Sequence, residues 1–322
     1  MSTRVVAVLL GLILAMAGCD ASSTPPPSVS VAPAPVRPAG AQQITTAPEA
    51  GSTDCGDREA SLRPTSQPSP GAMPPGSTMA AIEQRGRLIV GVDQNTFMFG
   101  YRDPSSGQLE GFDIDLAREI ARRIFGDPGR IELQVVEAGQ RESALQSGQV
   151  DLVVRTFSIT CERKQKIDFS TTYFYANQRI LARKGSGIAS AADLSGKRVC
   201  SVSGTTSLKR VFELNPRPTV IGVTSWTDCL LMMQQGQADA ISTDDVVLKG
   251  LARQDPDVDV FGDSLGIEPY GVGVKQGNDD LVRFVNGALA EIRGDGTWER
   301  LYDSWLRSLG PSPGPPPARY RD

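Results

Sequence analysis

Residues 150–163 read VDLVVRTFSITCER, and the fold turns on how this stretch is divided. Asp151-Leu-Val-Val has the composition of a short buried strand, as an interior parallel strand does. The run then meets Arg155, passes small hydroxyls at Thr156, Ser158 and Thr160, and reaches Arg163. Two guanidinium groups placed where a strand leaves a core suit a binding cleft better than a core.

The flanking chain repeats the pattern. RLIVGVD (87–93) reads as a strand, and GFDIDLAREIARRIFG (111–126) as a helix with Ile114, Ala117, Ile120, Ala121 and Ile124 on one face. IELQVVE is a strand and RESALQSGQ a short helix before the opening stretch. The pattern then restarts. YFYANQRILARK is long and extended, and KRVCSV, PTVIGV and ADAIST read as strands. Each of these three is followed by a helical segment, and two helices close the body at Asp279–Arg293 and Trp298–Leu309. Strands alternating with helices predict an α/β fold with a mostly parallel sheet. The restart predicts two lobes, the second inserted into the first. Crossing strands are expected near Tyr173–Ala182 and Glu268–Val274, giving a cleft with two hinges. The expected bounds are 78–176 plus 269–309 for lobe 1 and 177–268 for lobe 2.

The chain has 322 residues, a net charge of −4 and no histidine. The charge argues against nucleic acid as a partner. Lack of histidine removes Ser-His-Asp and Cys-His catalysis and His-ligated metal sites, and no Cys-x-x-Cys spacing suggests a metal. No cofactor is expected. Arg4 precedes an apolar run, Val5–Ala17, that ends in AMAGC. This reads as a secretory signal over 1–18, too short for a comfortable span. Ala17-Gly18-Cys19 is similar to a bacterial lipobox, with Met16 where leucine is commoner, and implies a lipid anchor on Cys19. Residues 19–77 are rich in Pro, Ser, Ala and Thr, purest at STPPPSVSVAPAPVRPAG (23–40), and are expected to form a disordered tether. Residues 310–322 are expected to be a second disordered tail, or a strip on the body. Four cysteines remain for an exported chain, with three possible pairings. Cys200 with Cys229 is favoured because both fall in one lobe, leaving Cys55 with Cys161.

LIVGVD, GFDIDLAREIA, SITCERKQKIDFS, LSGKRVCSVSGTTS, ADAISTDD, PYGVGVK and LVRFVNGALAEIRGDGTWERLYDSWL stand in one order over Arg87–Leu309. That ordered set resembles the polar amino-acid family of substrate-binding proteins of ABC importers. The resemblance implies the two-lobed periplasmic-binding-protein fold of type II, no enzymatic activity, and a monomer. The place it implies is the outer face of a bacterial membrane. The partner it implies is an ABC permease with its ATPase; a membrane sensor is the other reading.

It also implies a ligand set. Arg163 fills the position that clamps an α-carboxylate, as a planar guanidinium can do bidentately. Ser158 falls where a backbone N–H and a hydroxyl are offered, and Thr156 where a carbonyl receives the ammonium. Thr205 and Thr206 lie in the loop opening a helix, where N–H groups suit an anion. Asp244 matches the carboxylate that pairs with the ammonium. For the ligand side chain, Arg155 and Arg102 are candidates to meet a carboxylate. Asp93 either repels such a group or holds one of the arginines. Phe97 is a candidate apolar wall. Val202 stands where the glutamine-binding branch carries lysine. An acidic amino acid, with asparagine tolerated, is therefore expected. Glutamine or another neutral polar residue is the alternative, and a cyclohexadienyl-type dehydratase on the same fold the remote one.

Overall fold

A computed structural model describes residues 36–48 and 54–322. The signal segment and Cys19 lie outside the described residues. The chain falls into Met1–Val36 and Arg37–Asp322, and all the architecture that follows belongs to the second unit. Its elements begin with β1 (Gln42–Gln43), α1 (Thr78–Arg85), β2 (Leu88–Val92), β3 (Asn95–Thr96), β4 (Gly100–Arg102) and β5 (Leu109–Glu110). They continue with α2 (Phe112–Phe125), β6 (Ile131–Val135), α3 (Arg141–Gln146), β7 (Leu152–Val153), α4 (Cys161–Lys164), β8 (Ile167–Phe169) and β9 (Phe174–Arg183). Next come β10 (Arg198–Val202), α5 (Thr206–Glu213), β11 (Thr219–Val223), α6 (Trp226–Gln234), β12 (Ala240–Asp244) and α7 (Asp245–Ala252). The last are β13 (Val258–Tyr270), β14 (Gly273–Lys275), α8 (Asp279–Gly294) and α9 (Thr297–Trp305).

Two main sheets make two lobes. The first has the order β6-β2-β7-β14-β8, and the second β1-β11-β10-β12-β9-β13. In the first, β2 runs parallel to β6 and β7, while β14 is antiparallel to β7 and β8. In the second, β10 runs parallel to β11 and β12, while β9 is antiparallel to β12 and β13. The long strands β9 and β13 pair from Phe174↔Tyr270 to Arg183↔Val258 and cross between the lobes. The fold is thus the two-lobed type II arrangement. The second crossing strand reaches further back than Glu268, because one irregularity between Phe261 and Gly266 lets it stay paired.

Helix α2 shows why the local pattern holds. Ile114, Leu116, Ala117, Ile120, Ala121 and Ile124 are all fully buried. Gly126 ends the helix at φ 77°, its N–H returning to the Arg122 carbonyl. Helix α6 is opened by a capping box of Ser225 and Asp228. Where the crossing strands enter lobe 1, Phe99, Phe112, Phe174, Tyr270 and Trp298 pack as a chain of tilted, edge-on and stacked rings.

The expectation of a disordered tether up to residue 77 fails for the described part. β1 adds antiparallel to the edge strand β11, with Gln42 opposite Gly222. Further on, Ala60, Ser61, Leu62 and Met73 are buried. The C-terminal tail lies on the body as well. Ser61 accepts the Arg321 N–H and donates to the Arg319 carbonyl, both at 3.0 Å. Composition misleads here because a strip with no core of its own can borrow partners from a finished body. Ser61 Oγ donates to the Phe169 carbonyl at 2.6 Å, and Asn286 Nδ2 donates to Ser61 Oγ and the Leu62 carbonyl. Disulfides join Cys55 to Cys161 and Cys200 to Cys229. The first fastens the N-terminal strip to the start of α4. Among the described residues no helix is long and apolar enough to cross a membrane.

Candidate functional site

The polar residues singled out in the sequence gather where parallel strands end. Asp93 follows β2, and Arg155, Thr156 and Ser158 follow β7; Thr205 and Thr206 follow β10, and Asp244 closes β12. A narrow cavity between the lobes is lined from the first by Arg141, Arg155, Thr156, Ser158 and Arg163. From the second, Thr205, Thr206, Ser207 and Asp244 face it, with Trp226 and Val247 as apolar wall. This is the place where open α/β sheets bind ligands.

On the lobe 1 side the guanidinium groups are buried. Arg163 donates through Nη1 to the Ser158 carbonyl at 2.6 Å and through Nη2 to the Gly204 carbonyl of lobe 2 at 3.2 Å. Its Nε lies 3.6 Å from Glu142, and the group sits 4.8 Å over the Phe157 ring. Thr160 caps α4, accepting the Arg163 N–H, so the turn that carries Arg163 is fixed. Arg155 forms an ion pair with Asp93 at 3.2 Å, the two side chains 4% and 6% exposed. The Asp93 carboxylate is saturated by its own loop, accepting the N–H groups of Gln94 and Asn95 and the Thr96 hydroxyl. It therefore acts as a holder of Arg155. The Nε of Arg155 is buried with no hydrogen-bond partner among the described residues.

Arg141 was not among the sequence candidates. It donates to the Ala138 carbonyl at 2.8 Å, the Arg155 carbonyl at 3.3 Å and the Gly204 carbonyl at 3.2 Å. Burial first, and then Arg163 and Arg155, push its pKa well below the ordinary value. A signal was present: a cation at the first residue of a helix opposes the helix dipole and needs another reason to stand there.

The lobe 2 side holds donors and one carboxyl. Thr205 caps α5, accepting the Leu208 N–H at 3.1 Å and donating to the Val202 carbonyl at 2.6 Å. Thr206 donates to Glu268 at 2.8 Å, and Glu268 is also bound by Arg210 at 2.6 Å. One oxygen of Asp244 accepts the Tyr270 hydroxyl. The other, Oδ1, is buried without a partner among the described residues. Burial, with Glu268 adding, pushes the Asp244 carboxyl up to about 8.

Two candidates stand apart. Arg102 is exposed and donates to Gln94 and the Gly107 carbonyl, pinning its own hairpin. Phe97 is half-buried edge-on to Tyr101, 5.0 Å between centroids, and its carbonyl faces Gly250 of α7. Neither lines the cavity. Both belong to the β3–β5 hairpin, which turns them away. The lobes meet closely: a Cβ on Gly204 would come within 2.5 Å of the Gly139 Cα. Lys209 of lobe 2 also pairs with Glu162 of lobe 1 at 3.0 Å. Among the described residues no group of three or more His, Cys, Asp or Glu side chains is placed to hold a metal.

Comparison with known proteins agrees with this geometry. The chain is 37% identical over 231 residues to the ABC transporter glutamine-binding protein GlnH of Bacillus subtilis, covering 71% of this chain and 85% of that protein. It is 30% identical over 235 residues to the glutamate-binding protein GluB of Corynebacterium glutamicum, covering 69% and 79%. The crystal structure of the L-cysteine solute receptor of Neisseria gonorrhoeae superposes with a TM-score of 0.69 at 29% identity, covering 72% of this chain and 95% of that one. Residues 88–308 match the bacterial extracellular solute-binding proteins of family 3, and with the two-lobed fold and its cleft this places the chain in that family, as a receptor and not an enzyme.

Proposed function

We propose that this protein closes around a free α-amino acid with an acidic side chain and presents it at the outer face of the membrane. One observation carries the reading. Two buried polar atoms of opposite character lack partners and belong to facing walls of one cavity: Arg155 Nε and Asp244 Oδ1. Buried polar groups are nearly always satisfied, so such a pair marks a place for a ligand that brings both complements. A zwitterion does. In this reading Asp244 and the Thr156 carbonyl receive the ammonium. Arg163, Ser158 and the N-terminal turn of α5 receive the α-carboxylate. Arg155, backed by Asp93 and flanked by Arg141, receives the side chain.

Charge supports an acidic side chain. Three buried arginines face the cavity, Asp93 offsets one, Glu142 stands 3.6 Å from a second, and Asp244 stays largely protonated at neutral pH until an ammonium arrives. Glutamine is the second reading, supported by the Bacillus subtilis relative. Its amide carbonyl would meet Arg155 Nε, with Asp93 already neutralising that group. Kinship supports an ABC permease and ATPase as the partner and action as a monomer, and the lipobox-like Ala17-Gly18-Cys19 supports a lipid anchor on Cys19. A membrane sensor reading the closed form is the alternative partner.

Calorimetric titration of protein refolded to remove bound amino acid tests this. Glutamate or aspartate should bind, and Arg155→Ala should weaken them by roughly 10- to 100-fold, with little effect on neutral ligands. Binding of glutamine alone would transfer the proposal to the second reading. Silence toward the whole set of polar amino acids would overturn the clamp.

A further inference from the structure

Thr156 has a backbone φ of +37°, one of two positive values among the described non-glycine residues. A side chain with a branched Cβ rarely takes this conformation, and something must hold it there. The Thr156 N–H donates to Asp113 Oδ2 at 2.8 Å. The other oxygen, Oδ1, accepts the Tyr173 hydroxyl, also at 2.8 Å. Asp113 stands in the first turn of α2, where the helix dipole favours an anion, and is 1% exposed. Tyr173 comes directly before the crossing strand β9, and its carbonyl accepts the Trp298 indole N–H at 2.8 Å. A single carboxylate thus joins the strained turn of the cavity to the entry of a hinge. None of the ligand contacts proposed above uses Asp113.

We propose that Asp113 is a positioning residue: its carboxylate holds Thr156 in the left-handed conformation that turns this peptide toward the cavity, and couples that turn to the hinge through Tyr173. The ligand part of this inference rests on the amino-acid reading; the backbone part does not. The device is sensitive to acid. Burial, partly opposed by the Thr156 N–H and the Tyr173 hydroxyl, pushes the Asp113 carboxyl up to about 7. Of the charged groups facing it, Asp93 raises the value and Arg155 lowers it, while Arg141 acts on Tyr173. Ionised Asp113 accepts from both donors in charge-assisted bonds. As pH falls through about 7 it takes a proton, and its hold on Thr156 weakens.

Two measurements decide it. In ¹⁵N-labelled, ligand-free, full-length protein, the Thr156 amide proton should shift upfield on acidification, with its midpoint near neutrality. The shift should vanish in Asp113→Asn, which keeps an acceptor without the titration. A Thr156 amide that stays unchanged between pH 5 and 9 in the unsubstituted chain overturns the proposal. For binding, Asp113→Ala should lower affinity for the captured amino acid by roughly 10- to 100-fold. Adding Thr156→Gly should restore it to within about threefold, since glycine takes positive φ without strain. Failure of that rescue in a folded double variant removes the positioning role. If the unsubstituted protein captures no amino acid, the ligand reading falls, and the amide titration still decides the role of Asp113.

Discussion

The two walls of the cleft solve opposite problems. The lobe 1 wall buries three cations, and most of the hydrogen bonds that two of them make to backbone end on lobe 1 carbonyls: Ser158 for Arg163, and Ala138, Arg155 and Thr156 for Arg141. The lobe 2 wall buries a carboxyl that has shed much of its charge, with one oxygen bare. Of these three arginines, Arg141 and Arg163 both reach across the gap to the Gly204 carbonyl. Under the proposed function, the contrast assigns the cations, held largely by their own lobe, to a ready wall and the acid opposite to one that the captured group completes. Preorganised donors on one wall reduce the ordering cost of capture.

The comparison breaks hardest at Arg163. Arg163→Ala should lower affinity on the order of 100- to 1000-fold, as truncating one member of a buried charged contact does. Arg163→Lys should rescue little, because a point charge cannot reproduce the planar fork. If calorimetry finds the lysine variant near the parent, the organised wall is not organised by geometry.

Next comes the seam. Gly204→Ala sets a Cβ 2.5 Å from the Gly139 Cα and strains a backbone at φ +74°. The expected result is a receptor that stays open with ligand present, read as loss of compaction in small-angle scattering, with affinity lower by roughly 10- to 100-fold. An unchanged scattering profile would mean that the seam is not part of closure.

The lobe 2 wall should respond to pH. An ammonium needs ionised Asp244, so affinity should climb with pH toward about 8. The slope below that point should be about tenfold per unit if this group alone limits binding. Calorimetry in buffers of different ionisation enthalpy should register proton release on binding. The ligand-free fold carries the opposite sign. A carboxyl raised in the folded state contributes stability that is full below its unfolded value of 3.8 and is lost as pH rises through about 8. Asp244→Asn should flatten both slopes; a slope that survives belongs to another group.

The smallest effects sharpen the line between wall and scaffold. Thr205→Ala removes a helix cap and should cost ~1 kcal/mol of stability by denaturant titration, with affinity nearly kept. Arg102→Ala, on an exposed hairpin, should change neither measurably.

Much of the fold was legible in sequence because burial is written locally. The α2 stripe, Ile114 to Ile124, and the apolar run before Arg155 each mark one side of their own element, and such marks need no partner to be read. The alternation of these elements put Ser158, Thr206 and Asp244 near strand ends, and the family resemblance singled them out together with Arg163 of α4. The candidates drawn from the β3–β5 hairpin fared differently. Arg102 and Phe97 lie near the first strand in sequence, yet a tight hairpin reverses the chain and carries them off the cavity. Arg141 was missed because its one local signal, a cation opening a helix, does not say that its side chain will meet the Arg155 and Gly204 carbonyls. The described part of the N-terminal Pro- and Ser-rich segment was misread because composition measures what a segment can bury alone, and this segment borrows Asn286 and the β11 edge; the C-terminal tail took the alternative of a strip on the body.

The sequence by itself determined the order of strands and helices, the two-lobed plan, and the types of group delivered to the strand ends, because periodicity and capping act within a few residues. Only the tertiary structure decided which carboxylate holds which arginine, that Asp113 and not solvent receives the Thr156 N–H, and that Arg155 Nε and Asp244 Oδ1 are left bare in one cavity. Those outcomes depend on distances between groups 43 to 89 positions apart in the chain, and such distances are set only when the cores pack and the lobes meet.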